Sequence, residues 1–177
     1  MDKKEFAMFA MALKTYYPRE QLLPNQQAIE LWFRELQDIP AKVADAALRK
    51  WVQTNKWSPS IADIREVSAS LVQPEIPDWG EGWKQVQEAI KKYGYYNSQK
   101  ALASMDPLTR QCVERMGFTE LCLSENAMAD RANFRMNYEQ ELHRKKMDAQ
   151  LPMKLKQLIG TIQEKQLQIE SEEQSNG

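Results

Sequence analysis

Apolar side chains recur at helical spacing along nearly the whole chain, and this pattern constrains the fold more than any other feature. Ile29, Trp32, Phe33 and Leu36, for example, lie at positions i, i+3, i+4 and i+7, where one face of a helix carries all of them. No stretch alternates apolar and polar residues for long enough to indicate a β-strand. The sequence therefore predicts an all-α fold.

Two closely spaced prolines interrupt this helical pattern. Each proline of Pro74-Glu75-Ile76-Pro77 is incompatible with a helix interior and pushes the preceding residue toward extended geometry. We therefore predict a compact N-terminal helical bundle in residues 1–73 and a linker in residues 74–78. A second helical region, with a long helix, is predicted in residues 79–150.

Residues that favour helix N-termini precede several of the apolar stretches. Asp2, Asn25, Ser60 and Asp106 are predicted N-caps, because a short polar side chain can accept a hydrogen bond from a free backbone N–H. The helix that starts at about Asp2 is apolar on nearly every side, so we expect it in the middle of a bundle. The tryptophans lie on or near apolar stripes and are expected to be core anchors: Trp32, Trp51, Trp57, Trp79 and Trp83.

The C-terminal segment, residues 151–177, contains too little apolar mass to order itself, so we predict a flexible tail. Its first part nevertheless repeats the helical spacing, with a short amphipathic segment formed by Leu155, Leu158, Ile159 and Ile162. Such a segment could fold against an apolar groove of another protein. These residues are therefore a candidate protein-binding site.

The residue sets that catalysis requires are missing from the sequence. No glycine stands in the phosphate-binding pattern GxxxxGK[ST], and Gly80-Glu81-Gly82 lacks the third glycine of a dinucleotide loop. Cys112 and Cys122 are expected to be reduced and packed, and with His143 they cannot complete a tetrahedral zinc site. We therefore predict a protein that is not an enzyme and needs no cofactor.

Nucleic-acid binding would have to be local, because the net charge of -1 gives no overall attraction to phosphate. Aromatic and basic residues are interleaved in one segment, at Lys91, Lys92, Tyr93, Tyr95 and Tyr96, which are candidate DNA contacts. Alternatively, the tyrosines pack back on the preceding helix and the lysines complement its C-terminal dipole. Both interpretations stay open on sequence alone.

The N-terminal segment lacks the apolar run and cleavage site of a signal peptide, and we expect a cytoplasmic protein. The longest apolar run, residues 6–13, is far shorter than the roughly 18 residues that span a bilayer. No membrane partner is therefore expected.

The N-terminal part of the chain resembles the phage replicative-helicase loader family. The residues that carry the resemblance are Leu13-Lys14-Thr15-Tyr16-Tyr17-Pro18, Leu31-Trp32-Phe33 with Leu36-Gln37-Asp38-Ile39-Pro40, Ala46-Ala47-Leu48 with Trp51, and Ser58-Pro59-Ser60-Ile61-Ala62-Asp63-Ile64-Arg65-Glu66. The segment from Trp79 to Tyr138 also resembles the second half of longer phage proteins of this kind.

The resemblance implies a protein without ATPase activity that binds a hexameric DnaB-like helicase, restrains it and delivers it to an origin-bound initiator. In such loaders the N-terminal part is a compact helical domain and the C-terminal part contacts the helicase. Our leading hypothesis is therefore a helicase loader and inhibitor in the host cytoplasm, with Leu155, Leu158, Ile159 and Ile162 as candidate helicase-binding residues. The alternative is a DNA-binding replication or packaging accessory protein.

Overall fold

The computed structural model of the chain describes the backbone of residues 1–175 and the side chains of residues 1–166. The described part is 78% helical and contains no strand, which confirms the predicted all-α fold. Its α-helices are α1 (Lys3–Tyr16), α2 (Gln26–Leu36), α3 (Ala41–Thr54), α4 (Ile61–Val72), α5 (Trp79–Tyr93), α6 (Ser98–Ala103), α7 (Pro107–Met116), α8 (Phe118–Leu123), α9 (Ala127–Gln150) and α10 (Met153–Ser175), with a short 3-10 helix at Tyr95–Asn97.

The chain divides into two compact units. The first unit comprises Met1–Gln73 together with the segment from Asp148 onward, and the second is Pro74–Met147. This grouping differs from the predicted division, which placed residues 79–150 in one region and residues 151–177 in a separate tail. The helical length of α10 also exceeds the short amphipathic segment predicted there. The flexibility of that segment stays a prediction.

Local capping fixes where the helices of the first unit begin. The Asp2 carboxylate accepts hydrogen bonds from the backbone N–H groups of Lys4 and Glu5, and the Asn25 side chain accepts one from Ala28. At the start of α4, Ser60 Oγ accepts from the Asp63 N–H while the Asp63 carboxylate accepts from the Ser60 N–H. These reciprocal bonds satisfy donors that a helix start otherwise leaves free.

The core of the first unit is formed by apolar residues from α1 to α4 and their connections: Phe6, Phe9, Leu13, Leu23, Leu36, Ile39, Ala44, Leu48 and Ile64. The prediction that α1 lies in the middle of the bundle is wrong. Helix α1 packs against α2 and α3, so Met8 and Met11 on its other side are exposed. A helix at the edge of so small a bundle has an outer face, whatever its composition.

Trp57 is a second correction, because its side chain is 77% exposed and anchors no core. The residue follows α3 in a turn where its backbone carbonyl accepts a hydrogen bond of 2.8 Å from Trp51 Nε1. The backbone of Trp57 therefore holds the corner while its own ring faces solvent. The other tryptophans are buried or half-buried.

The second unit closes around an aromatic core built by α5, α7 and α9. Trp83, Phe134 and Tyr138 are packed ring to ring, with centroids 5.4 Å and 5.5 Å apart. Gly82 lies against this core, and a methyl group there would come within 2.8 Å of both Thr109 Oγ1 and Tyr138 Cε2. Glycine at this position therefore lets α5 approach its neighbours closely, which is a structural reason for a residue that resembled part of a nucleotide loop.

Candidate functional site

The four apolar residues predicted as a partner-binding segment lie on one side of α10 and are exposed. Their exposed fractions are 38% for Leu155, 55% for Leu158, 36% for Ile159 and 53% for Ile162. Their spacing matches the 3.6-residue repeat of a helix, so they form a continuous stripe. We call these four residues the α10 stripe. A contiguous exposed apolar surface of this kind is typical of a protein–protein contact.

Arg65 of α4 holds the chain just before α10. Its guanidinium donates a bidentate pair of hydrogen bonds to Asp38, at 2.9 Å to Oδ1 and 2.8 Å to Oδ2. The same group donates to the backbone carbonyl oxygens of Glu35 and Gln150. Because the Arg65 side chain is only 11% exposed, these acceptors replace water around a charge that would otherwise be costly to bury.

The ionisation of Asp38 follows from this contact. The hydrogen bond from Arg65 lowers the pKa of the Asp38 carboxyl below its usual value, although partial burial opposes the shift. Asp38 is therefore charged throughout the neutral range and remains paired with Arg65. Both residues belong to the motifs that carried the family resemblance, but the sequence did not predict that they bind each other.

A cleft of about 250 Å³ lies beside this contact, between the α3–α4 side of the first unit and residues 149–156. Val43, Val72 and Met153 supply apolar walls. On the far side of the segment, Lys156 Nζ lies 2.6 Å from Asp148 Oδ2. The start of α10 is thus held by polar contacts, while its apolar neighbours leave space unfilled.

The candidate DNA-contact residues divide into two groups. Tyr93 is half-buried against the core of the second unit, whereas Tyr95 and Tyr96 are exposed. Lys91 and Lys92 are also exposed, and Lys92 Nζ lies 5.1 Å from the centre of the Tyr93 ring. The packing interpretation therefore accounts for Tyr93 and leaves the following two tyrosines unexplained.

The residues considered for chemistry lie apart from these surfaces. Burial raises the pKa of the Cys112 thiol to about 11, and burial also raises the pKa of Cys122, so both thiols are protonated at neutral pH. His143 is exposed on α9. Within residues 1–166 no three His, Cys, Asp or Glu side chains come close enough together to hold a metal ion.

The described helices include none that is both long and apolar enough to cross a membrane.

Comparison with known families assigns the part of the chain that contains Arg65 and Asp38. Residues 1–65 match the family model of the N-terminal domain of the phage gene 39 protein. The resemblance to phage helicase loaders is confirmed. The protein for which this family is named is a phage loader and inhibitor of a DnaB-like helicase. No curated protein and no solved structure matches the chain. The resemblance of residues 79–138 to longer phage proteins stays a prediction.

The matched segment, residues 1–65, ends at the residue that binds the chain before α10, and we call it the loader-like domain. Arg65 is the last matched position, and its hydrogen bond to the Gln150 carbonyl joins positions far apart in the sequence. The α10 stripe itself lies outside the match. The loader-like domain therefore provides the base from which this chain's own C-terminal helix begins.

Proposed function

We propose that the protein is a helicase loader and inhibitor without ATPase activity of its own. It binds a hexameric DnaB-like replicative helicase, restrains it and delivers it to a phage origin–initiator complex in the cytoplasm of the host. The observation that supports this most is the family match of the loader-like domain, residues 1–65.

The α10 stripe is the helicase contact in this proposal. Leu155, Leu158, Ile159 and Ile162 form an apolar ridge that would fit a groove on the partner, as amphipathic helices commonly do. Each side chain is already partly buried, so covering the remainder contributes roughly 1 kcal/mol per residue. A contact of that size strengthens a complex but leaves it reversible, which a loader requires because it must release the helicase.

The timing of release comes from the partners. The sequence has no phosphate-binding loop of the GxxxxGK[ST] type. The helicase's own nucleotide state and the contacts offered by the initiator therefore have to weaken the loader–helicase interface.

A matched pair of variants tests the assignment of the stripe. Leu158→Asp with Ile162→Asp places two charges within the stripe, whereas Gln157→Asp with Thr161→Asp adds the same charges, at the same spacing, one residue earlier. We expect the stripe variant to weaken helicase binding by about tenfold or more, because each carboxylate would have to lose water in an apolar groove. The control variant should bind nearly as the wild type does.

The measurement is the dissociation constant for the cognate helicase, with and without ATP, by titration against labelled helicase. Equal affinities for the two variants would exclude the stripe as the contact while leaving the loader assignment intact. Loss of binding by both variants would indicate damage to α10 as a whole, which circular dichroism of each variant would reveal.

A second candidate function is a DNA-binding replication or packaging accessory protein. The observation that favours it is the exposure of Tyr95 and Tyr96 beside lysines. The two functions are separated by one comparison: an accessory protein of this type binds DNA without the helicase and forms no complex with it.

A further inference from the structure

One segment of the chain departs sharply from the overall balance of charge. The whole sequence carries 24 basic and 25 acidic residues, yet no Asp or Glu occurs between Ala89 and Met105. The same segment contains three lysines and three tyrosines: Lys91, Lys92, Lys100, Tyr93, Tyr95 and Tyr96. Cations and aromatic rings without acids are the composition of surfaces that bind nucleic acid strands.

The backbone of this segment is held in place by its neighbours. Helix α5 ends at Tyr93, and Gly94 turns the chain with φ of 60°, in the left-handed region that favours glycine. The 3-10 helix at Tyr95–Asn97 then packs against α5, α6 and α8. The tyrosines of this helix therefore project from a supported corner.

The exposure of the rings distinguishes binding from packing. Tyr96 is 82% exposed and Tyr95 is 42% exposed, and their ring centroids lie 3.9 Å apart. Each ring covers part of the other, so the pair forms a small aromatic platform with a free outer face. A tyrosine that only completed the core would be buried, as Tyr93 largely is.

The lysines around this platform are available to an anion. Lys91, Lys92 and Lys100 are exposed, and none of them takes part in an ion pair within residues 1–166. Two acids come near in sequence or packing. Glu88 lies one turn earlier on α5, and the Glu120 carboxylate of α8 lies against Gly117. The cations therefore outnumber the acids of the elements that pack around the 3-10 helix.

We propose that Lys91, Lys92, Tyr95, Tyr96 and Lys100, the tyrosine corner, bind single-stranded nucleic acid. Unpaired bases stack on the Tyr95–Tyr96 platform, and the lysines contact the phosphates on either side. Single strands fit this surface better than duplex, because a base pair inside a helix has no free face to offer a protruding ring. The site goes beyond helicase binding and does not depend on it.

The experiment uses the full chain and a fluorescently labelled oligothymidine of about 20 nucleotides, long enough to cover a site of this type. Fluorescence anisotropy gives the dissociation constant over a range of salt concentrations, with oligouridine and a duplex of equal length as further probes. The test variants are Tyr96→Ala, Tyr96→Phe and Lys91→Gln with Lys92→Gln. The matched controls are Tyr16→Ala and Lys3→Gln with Lys4→Gln, which alter exposed residues of α1 in the same ways.

We expect Tyr96→Ala to weaken single-strand binding by about tenfold, the usual effect of losing one stacked base, while Tyr96→Phe retains the affinity. The double lysine variant should lower the salt dependence by roughly 0.7 per lost phosphate contact. Both controls should bind as the wild type does. Equal affinity for DNA and RNA strands supports the proposal, as does a preference for either.

Three results would overturn the proposal. They are no binding of either strand at low salt, equally tight binding of the duplex, and equal losses in the test variants and their controls. Melting of each variant by circular dichroism ensures that a loss of binding does not come from unfolding. Helicase binding by Tyr96→Ala should be unchanged, which keeps this test separate from that of the loader function.

Discussion

Each unit of the molecule places one charged side chain inside the fold, and the two are used differently. In the first unit, Arg65 binds the Asp38 carboxylate and the backbone carbonyls of Glu35 and Gln150. In the second unit, Glu141 is 4% exposed and accepts hydrogen bonds from side chains of α7 and α9: Gln111 and Arg144 at 2.9 Å, and Arg115. One charge is satisfied largely by the main chain, the other entirely by side chains.

This difference shows which unit is built to present a partner surface. Glu141 joins two helices that already share an aromatic core, so its contacts reinforce a closed body. Arg65 instead fixes the path of the chain where apolar packing is incomplete, beside the 250 Å³ cleft. The α10 stripe that follows remains exposed. We therefore expect substitutions in the second unit to affect mainly stability and those around Arg65 to affect mainly the position of α10.

The largest effect should come from the glycine that the second unit encloses. Gly82→Ala would bring a methyl group within 2.8 Å of Thr109 Oγ1 and Tyr138 Cε2, so we expect unfolding to become easier by about 1–3 kcal/mol. Gly160→Ala is the matched change in α10, where no atom lies within 4 Å of the added methyl. There we expect no loss, and a gain in helix stability of up to about 1 kcal/mol.

Urea unfolding of the two variants, followed by circular dichroism, measures this contrast. A Gly82→Ala variant as stable as the wild type would contradict the close approach of α5 to the core of the second unit.

A smaller effect is expected from Arg65→Met, which keeps the apolar stem and removes the hydrogen-bond donors. Loss of charged hydrogen bonds to a partly exposed carboxylate and two carbonyls should cost about 1–2 kcal/mol. Hydrogen exchange should speed up at residues 151–160 and stay unchanged in α5 and α7. Equal changes in both units would show that Arg65 acts on the stability of the whole chain rather than on the segment before α10.

The smallest effect is a dependence on acid. Because the folded-state pKa of Asp38 is lowered, its contribution to stability is complete above the ordinary value of 3.8 and is lost as the pH falls through the lowered pKa. Asp38→Asn should therefore flatten the decline in the first unit's stability below about pH 4. Urea midpoints from pH 7 to pH 3 measure this decline. An unchanged slope would mean that Arg65 does not perturb the carboxyl group.

Asp106 serves as the internal reference for this titration in the second unit. Burial opposes its ionisation, but hydrogen bonds from the Thr109 hydroxyl, the Thr109 and Leu108 N–H groups and Gln85 lower its pKa. Its acid dependence should persist in the Asp38→Asn variant.

The features that could be predicted from the sequence are those decided within a few residues. Asp2, Asn25, Ser60 and Asp106 cap their helices as expected, because each accepts hydrogen bonds from N–H groups two or three residues ahead. The α10 stripe was visible for the same reason, since helical spacing depends on neighbours in sequence. Its role as the helicase contact stays a prediction.

The features that the sequence did not predict depend on distant parts of the chain. The bond between Arg65 and the Gln150 carbonyl requires a donor and a backbone atom that no spacing rule connects. The exposure of Trp57 and of Met8 and Met11 depends on where the small bundle ends, which composition alone does not reveal. The grouping of residues after Asp148 with the first unit follows from such contacts.

The mass of the full-length chain mixed with its cognate helicase, determined by light scattering during gel filtration, tests the central proposal most directly. We predict a single species heavier than the helicase hexamer in at least one nucleotide state, with no ATP hydrolysis by the chain alone. Separate elution of the two proteins, both with and without ATP, would contradict the assignment of this protein as a helicase loader.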